Sequence, residues 1–183
     1  TMKETSIETV TIVGGGTAGL MASAVLARAL GRGVSIRLVE SEAIGTVGVG
    51  EATIPQIRLL THLLGIDEHA FMAATNGTIK LGIEFENWGQ VGERYIHAFG
   101  NIGQSLGMSR FWAYWLRANG AAEPSTLWDY SFNAVAAKQN RYEPIAQIDN
   151  TQLGGLVRAY HFDAGLFAGF LRKIAEQAGV VRI

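Results

Sequence analysis

Thr9-Val10-Thr11-Ile12-Val13-Gly14-Gly15-Gly16-Thr17-Ala18-Gly19 is the stretch that decides the fold. A β-branched run stops at three glycines, the pattern of a buried strand entering a tight turn. From Thr17 to Leu30 the apolar residues Ala18, Met21, Ala22, Val25, Leu26 and Ala29 recur at helical spacing, and Gly31 and Gly33 end the helix. Val34, Ile36 and Leu38-Val39 make a second strand, closed by Glu40. Strand, glycine turn, helix and strand form a βαβ unit. Its consequence is a parallel sheet and an α/β, Rossmann-like fold.

Gly14, Gly16 and Gly19 satisfy G-x-G-x-x-G. The first permits the sharp turn, the second lets backbone approach a pyrophosphate, and the third lets the helix pack closely on the strand. The first helical turn, with Thr17 and Ala18, offers its N–H groups and partial positive charge to phosphates. Glu40 lies 21 positions after Gly19, where its carboxylate can accept hydrogen bonds from a ribose hydroxyl and repel the extra phosphate of NADP. A purely structural turn with a solvated Glu40 is the competing reading, and these residues alone do not separate FAD from NAD.

The 183 residues are 48% hydrophobic and 17% charged, with 23 Gly and 3 Pro, which suits a packed α/β domain and excludes a disordered tail, coiled coil or collagen-like repeat. A net charge of -1 advertises neither nucleic acid nor an anionic membrane surface as partner. With no cysteine, disulfides, thiolate nucleophiles and Cys-ligated metals are excluded, and a reducing, cytoplasmic setting is expected. No apolar run approaches the ~20 residues of a membrane span. Residues 1–7 are read as a tail in which Thr1, ahead of Met2, is extraneous. Residues 8–183 are read as one incomplete nucleotide-binding domain whose 78–160 segment contributes to a substrate site.

Further along, Gly45–Gly50 is too glycine-rich for regular structure. Thr53 and Gln56 stand at capping-box spacing ahead of a helix running to Leu64, and Asp67 opens another. Residues 78–86 alternate as one strand, with Ile79, Leu81, Ile83 and Phe85 on one face and Lys80, Glu84 and Glu86 on the other. A helix is expected over Arg110–Asn119, capped by Ser109 and stopped by Gly120, with Phe111, Trp112, Tyr114 and Trp115 packing the interior. Asp163 caps a final helix whose Leu166, Phe167, Phe170, Leu171 and Ile174 share a face, and Val180–Ile183 begins another strand. Three strands are fewer than a doubly wound sheet uses, so the chain is read as the N-terminal part of a longer protein.

Gly14–Ala22, Gly48-Val49-Gly50-Glu51-Ala52-Thr53-Ile54-Pro55, Asn76-Gly77-Thr78-Ile79-Lys80 and Tyr160-His161-Phe162-Asp163-Ala164 occur in the order seen in flavin-dependent tryptophan halogenases, and the sequence resembles that family over nearly its whole length. The resemblance implies FAD, used as FADH2 supplied by a separate NADH-dependent flavin reductase. It also implies chloride or bromide, oxidised with O2 to hypohalous acid, and tryptophan, indole or a related aromatic as substrate. It makes Lys80 the catalytic lysine that holds the hypohalous acid, whereas pattern alone would leave it solvated beside Glu84 and Glu86. It makes the Gly45–Gly50 loop a strap against the flavin, with Val49, Gly50 and Ala52 as cofactor-binding residues and Glu51 open to a second reading as a charge favourable at a helix N-terminus. His97 and Phe99 become the aromatic pair that sandwiches the substrate, with a core role beneath a loop as the alternative. A homodimer is left open.

The sequence departs from the family at Leu20, where a tryptophan is usual. The Trp-x-Trp-x-Ile-Pro motif, the glutamate partner of the lysine, the halide loop and the substrate lid are expected beyond Ile183, and without them the chain alone is expected to be inactive. Another FAD-dependent monooxygenase or oxidoreductase, or a non-catalytic flavin-binding fragment, are the rival functions.

Overall fold

The computed structural model describes residues 6–41, 43–44, 50–119, 125–151 and 154–183. These fall into two units, one built from residues 1–78 and 160–183 and one from residues 79–159.

In the first unit, β1 (Thr9–Val13), α1 (Thr17–Leu30), β2 (Ser35–Val39) and a short helical turn at Gly31–Gly33 realise the βαβ pattern. β1 and β2 run parallel with Val10 opposite Ile36 and Ile12 opposite Leu38. β8 (Val181–Arg182) adds on the other side of β2, also parallel, so the sheet order is β1-β2-β8. α1 buries Leu20, Ser23, Ala24 and Ala27. The small Ser23, Ala24 and Ala27 let it lie close to α6 (Ala164–Gln177), against which it packs.

α6 is capped by Asp163, whose Oδ1 accepts the Leu166 N–H at 2.8 Å. Its buried face is Ala164, Phe167, Ala168, Leu171 and Ala175. Leu166, expected on that face, is 43% exposed, because position 166 falls on the side turned away from α1 and the core. β3 (Gly50–Ala52) pairs antiparallel with β7 (Ala159–Asp163). α2 (Ile57–Leu63) and α3 (Glu68–Thr75) lie between them in sequence, α3 capped by Asp67 through the Ala70 N–H at 2.8 Å. Phe71, fully buried, meets Tyr160, Phe162, Phe167 and Phe170 edge-on at 5.1–5.9 Å between centroids. Such contacts add about 0.5–1.5 kcal/mol each beyond area burial.

The capping box expected at Thr53 and Gln56 does not form. Gln56 is the N-cap of α2 in helical conformation, and the Thr53 hydroxyl instead donates to the Tyr160 carbonyl at 3.0 Å, extending the β3–β7 pairing.

The second unit contains β5 (Gly82–Glu86) and β6 (Arg94–Ala98), an antiparallel hairpin, with α4 (Phe111–Asn119) and α5 (Phe132–Lys138). It is entered through β4 (Thr78–Lys80). Residues 78–86 are therefore two strands broken at Leu81 rather than one. The break turns Lys80 inward: it is 7% exposed, while Glu84 and Glu86 face solvent. Leu81, Ala136 and Leu156 make a small core with Ile79, Ala137 and Tyr142 packed on it.

α5, unforeseen in the irregular aromatic stretch, is capped by Ser131, whose Oγ accepts the Ala134 N–H at 3.2 Å. Ser109 does not cap α4. It pairs with Leu106, and the Phe111 N–H donates to Ser105 Oγ. Nor does α4 pack an interior: it has no buried residue, and Trp112 and Tyr114 are exposed. Gly120, expected to stop it, lies outside the described residues.

Candidate functional site

The turn after β1 is built by its glycines. Gly14 has φ +116°, a left-handed conformation that disfavours any side chain, and its N–H donates to the Val39 carbonyl at 2.8 Å. A Cβ on Gly19 would stand 1.9 Å from the Gly14 carbonyl oxygen, so only glycine lets α1 start this close to β1. A Cβ on Gly16 would meet nothing within 4 Å. Gly16 is also the N-cap of α1 with no side chain to close it, and no acidic residue occupies the first turn. The N–H groups at Thr17 and Ala18 thus open a helix end suited to an anion.

Glu40 stands where β2 ends, with 10% of its side chain exposed. Burial would raise its pKa, but hydrogen bonds from Arg172 at 3.0 Å and Arg182 at 2.5 Å outweigh this and hold the carboxyl below the ordinary carboxylate range. Arg182 also pairs with Glu176 at 3.1 Å. The Glu40 carboxylate lies so close to the turn that a Cβ on Gly15 would fall 1.8 Å from Oε2. Gly15, Arg172 and Arg182 were not singled out in the sequence. The motif marks only alternate glycines, and the arginines come from 132 and 142 positions away.

Gly50 and Ala52 are the ends of β3, opposite Asp163 and His161. Val49 lies outside the described residues.

In the second unit Lys80 and Phe99 come together, with Lys80 Nζ 5.6 Å from the Phe99 ring centroid. Burial pushes the Lys80 ammonium below the ordinary lysine range. His97, exposed on β6, faces Trp128 with ring centroids 6.2 Å apart. His97 and Phe99 flank buried Ala98, His97 on β6 and Phe99 just past its end, where its N–H donates to the Leu81 carbonyl at 2.8 Å. Gly82 is what brings this segment in: a Cβ there would stand 2.7 Å from Ala98 Cα.

A parallel sheet bearing an open glycine turn, with a half-buried acid at the end of its second strand, defines the Rossmann-like α/β class. The sequence profile of the tryptophan halogenase family matches residues 9–183, and the chain belongs to that family. Tryptophan 6-halogenase SttH of Streptomyces toxytricini is 35% identical over an alignment covering 95% of this chain and 36% of that protein. Tryptophan 7-halogenase RebH of Lentzea aerocolonigenes is 33% identical, covering 95% of this chain and 35% of its own. The solved structure of a flavin-dependent halogenase from Xanthomonas campestris matches with a TM-score of 0.88 at 47% identity, over 97% of this chain and 35% of that one. The chain thus spans about a third of the length of these relatives.

Proposed function

We propose that this chain is the flavin-binding and lysine-bearing portion of a halogenase that acts on tryptophan, indole or a related small aromatic. The carrying observation is Lys80, an amine 7% exposed at the end of β4 and set over the face of Phe99. Gly14, Gly16, Gly19 and the helix end at Thr17 and Ala18 would hold the pyrophosphate of FAD, Glu40 its ribose, and Val49, Gly50 and Ala52 its ring system. The bare helix end and the side-chain-free cradle at Gly16 suit that group. Bound in reduced form, FAD would activate O2 as the oxidant that turns chloride or bromide into hypohalous acid.

Lys80 then donates a hydrogen bond from Nζ to the oxygen of the hypohalous acid, which polarises the O–X bond. As the aromatic carbon takes X, the departing oxygen takes the lysine proton and leaves as water, and the proton released by the ring restores the ammonium. Desolvation makes that proton easier to give than from an exposed lysine. His97 and Phe99 would orient the substrate ring by stacking. FADH2 would come from a separate flavin reductase.

The test is Lys80→Ala in the full-length halogenase that carries this chain, assayed with indole or tryptophan, bromide, FAD, NADH and a flavin reductase. Halogenation is expected to be lost while flavin affinity stays at the parent level. Retained halogenation with normal flavin binding would sink the proposal.

A further inference from the structure

The Leu81 carbonyl oxygen, one residue beyond Lys80, receives two donors: the Phe99 N–H at 2.8 Å and Asn133 Nδ2 at 3.1 Å. The same Nδ2 donates to the Val157 carbonyl at 2.5 Å, and Asn133 Oδ1 accepts the Val157 N–H at 3.1 Å. Asn133 therefore spends both amide hydrogens and its oxygen on backbone groups of two distant segments. It is 2% exposed. Its neighbours on α5 include Ala134, Ala136 and Ala137, so packing alone would be served there by another small apolar side chain. A buried amide is tolerated only when its polar atoms are paired, and here the pairing is with backbone on either side of the lysine site. Ser131, 1% exposed, caps α5 two residues earlier and makes no bond to the amide. Gly100 completes the fit: it has φ +80°, and a Cβ there would come within 3.3 Å of Asn133 Oδ1.

We infer that Asn133 is a positioning residue, whose side-chain amide fastens the Lys80–Leu81 strand end and the Phe99 segment to the backbone at Val157 and so holds the Lys80 ammonium over the Phe99 ring. The inference rests on Lys80 being the working group of the proposed reaction. Three segments far apart in sequence meet at one side chain. Without it, the Leu81 carbonyl keeps only the Phe99 N–H, and the Val157 backbone loses both of its side-chain partners.

The chain has four lysines, so carbon-13-labelled lysine gives a readable spectrum of ε-methylene signals. The Lys80 signal, assigned by its loss in Lys80→Arg, is expected upfield of the others because it sits over an aromatic face. Phe99→Leu should abolish that displacement. Asn133→Asp keeps the oxygen for the Val157 N–H but gives up the donated bonds at neutral pH. It is expected to lose the upfield displacement, and in the full-length halogenase that carries this chain halogenation is expected to fall about tenfold or more with flavin affinity unchanged. Ser131→Ala, which weakens α5 without touching the amide, should leave the signal in place and so separates positioning from general loosening.

A folded Asn133→Asp protein with its Lys80 signal still upfield overturns the inference. If the variant does not fold, the wild-type chain decides: the Asn133 side-chain NH2 is expected to exchange with deuterium slowly, and exchange as fast as an exposed amide overturns it too. Failures at the two levels are distinguishable. An active Lys80→Ala with an Asn133-dependent Lys80 signal removes the catalytic role and keeps the positioning. An inactive Lys80→Ala with an Asn133-independent signal does the reverse.

Discussion

Gly16 and Gly19 sit three residues apart in one turn, yet a methyl group added to each meets opposite surroundings. On Gly19 it would run into the Gly14 carbonyl at 1.9 Å, which is backbone and cannot swing aside. Gly19→Ala must therefore push α1 off β1, and a loss of about 1–3 kcal/mol is expected, as for other overpacked sites. On Gly16 the methyl would meet nothing within 4 Å, and the residue already has φ -73° and ψ 176°, which any amino acid adopts. Gly16→Ala should leave stability within about 1 kcal/mol of the parent. Its methyl would instead stand in the space proposed for the pyrophosphate, so flavin affinity should fall about tenfold or more. Chemical denaturation alongside flavin titration separates the two outcomes. A Gly16→Ala protein that binds flavin normally would mean the turn is structural only.

Among the elements, the aspartate caps at Asp67 and Asp163 were readable, whereas the caps expected at Thr53 and Ser109 do not form. Asp163 illustrates this: an acid ahead of an amphipathic run is a cap, and its Oδ1 accepts the Leu166 N–H at 2.8 Å. Asp163→Ala is expected to lower unfolding free energy by about 1 kcal/mol, while Asp163→Asn or Asp163→Ser should recover most of it. Equal losses in all three, measured by urea denaturation, would show that the carboxylate does something other than cap. The β1–α1–β2 unit was legible for the same reason, since each of its boundaries is drawn by local chemistry: β-branched residues, glycines, helical spacing.

Lys80 was not legible from pattern. Alternation over residues 78–86 predicts one strand with Lys80 beside Glu84 and Glu86, but the strand breaks at Leu81 and its two pieces no longer share a face. That break belongs to tertiary structure, because Leu81 joins a core with Ala136 and Leu156 from far along the chain. Only the family resemblance singled Lys80 out. Asn133, Arg172 and Arg182 lay beyond the sequence for a similar reason: their partners are distant residues. Thr53 misled because a hydroxyl at capping spacing found a better acceptor in the Tyr160 carbonyl. The aromatics of α4 misled because hydrophobic residues at helical spacing predict an apolar face but not what covers it.

At the scale of the whole molecule, the first unit is made of two stretches that the second interrupts, residues 1–78 and 160–183. Their joining is a non-local event, and Glu40 stands at the seam. Its N–H donates to the Ile183 carbonyl at 3.0 Å while its carboxylate takes Arg172 from α6 and Arg182 from β8. The folded carboxyl is held below its ordinary value of 4.5 because those donors outweigh the cost of burial. A group depressed in this way binds its proton less readily folded than unfolded. Its contribution is present in full above the unfolded value and is lost as pH falls through the folded one. Glu40→Gln removes the charge while keeping the shape, so at neutral pH its thermal midpoint should lie about 2–4 °C below the parent's. The gap between the two should then shrink as the solution is taken below pH 4.5 and close only once the pH has passed the depressed folded value, where the folded parent carboxylate is protonated as well. A gap that stays constant across the acid range would show that the arginines hold the seam by packing and not by charge. Added salt offers an independent check. The Arg172 and Arg182 side chains are 32% and 36% exposed and share the same Glu40, so salt should weaken both pairings in part and narrow the gap at neutral pH.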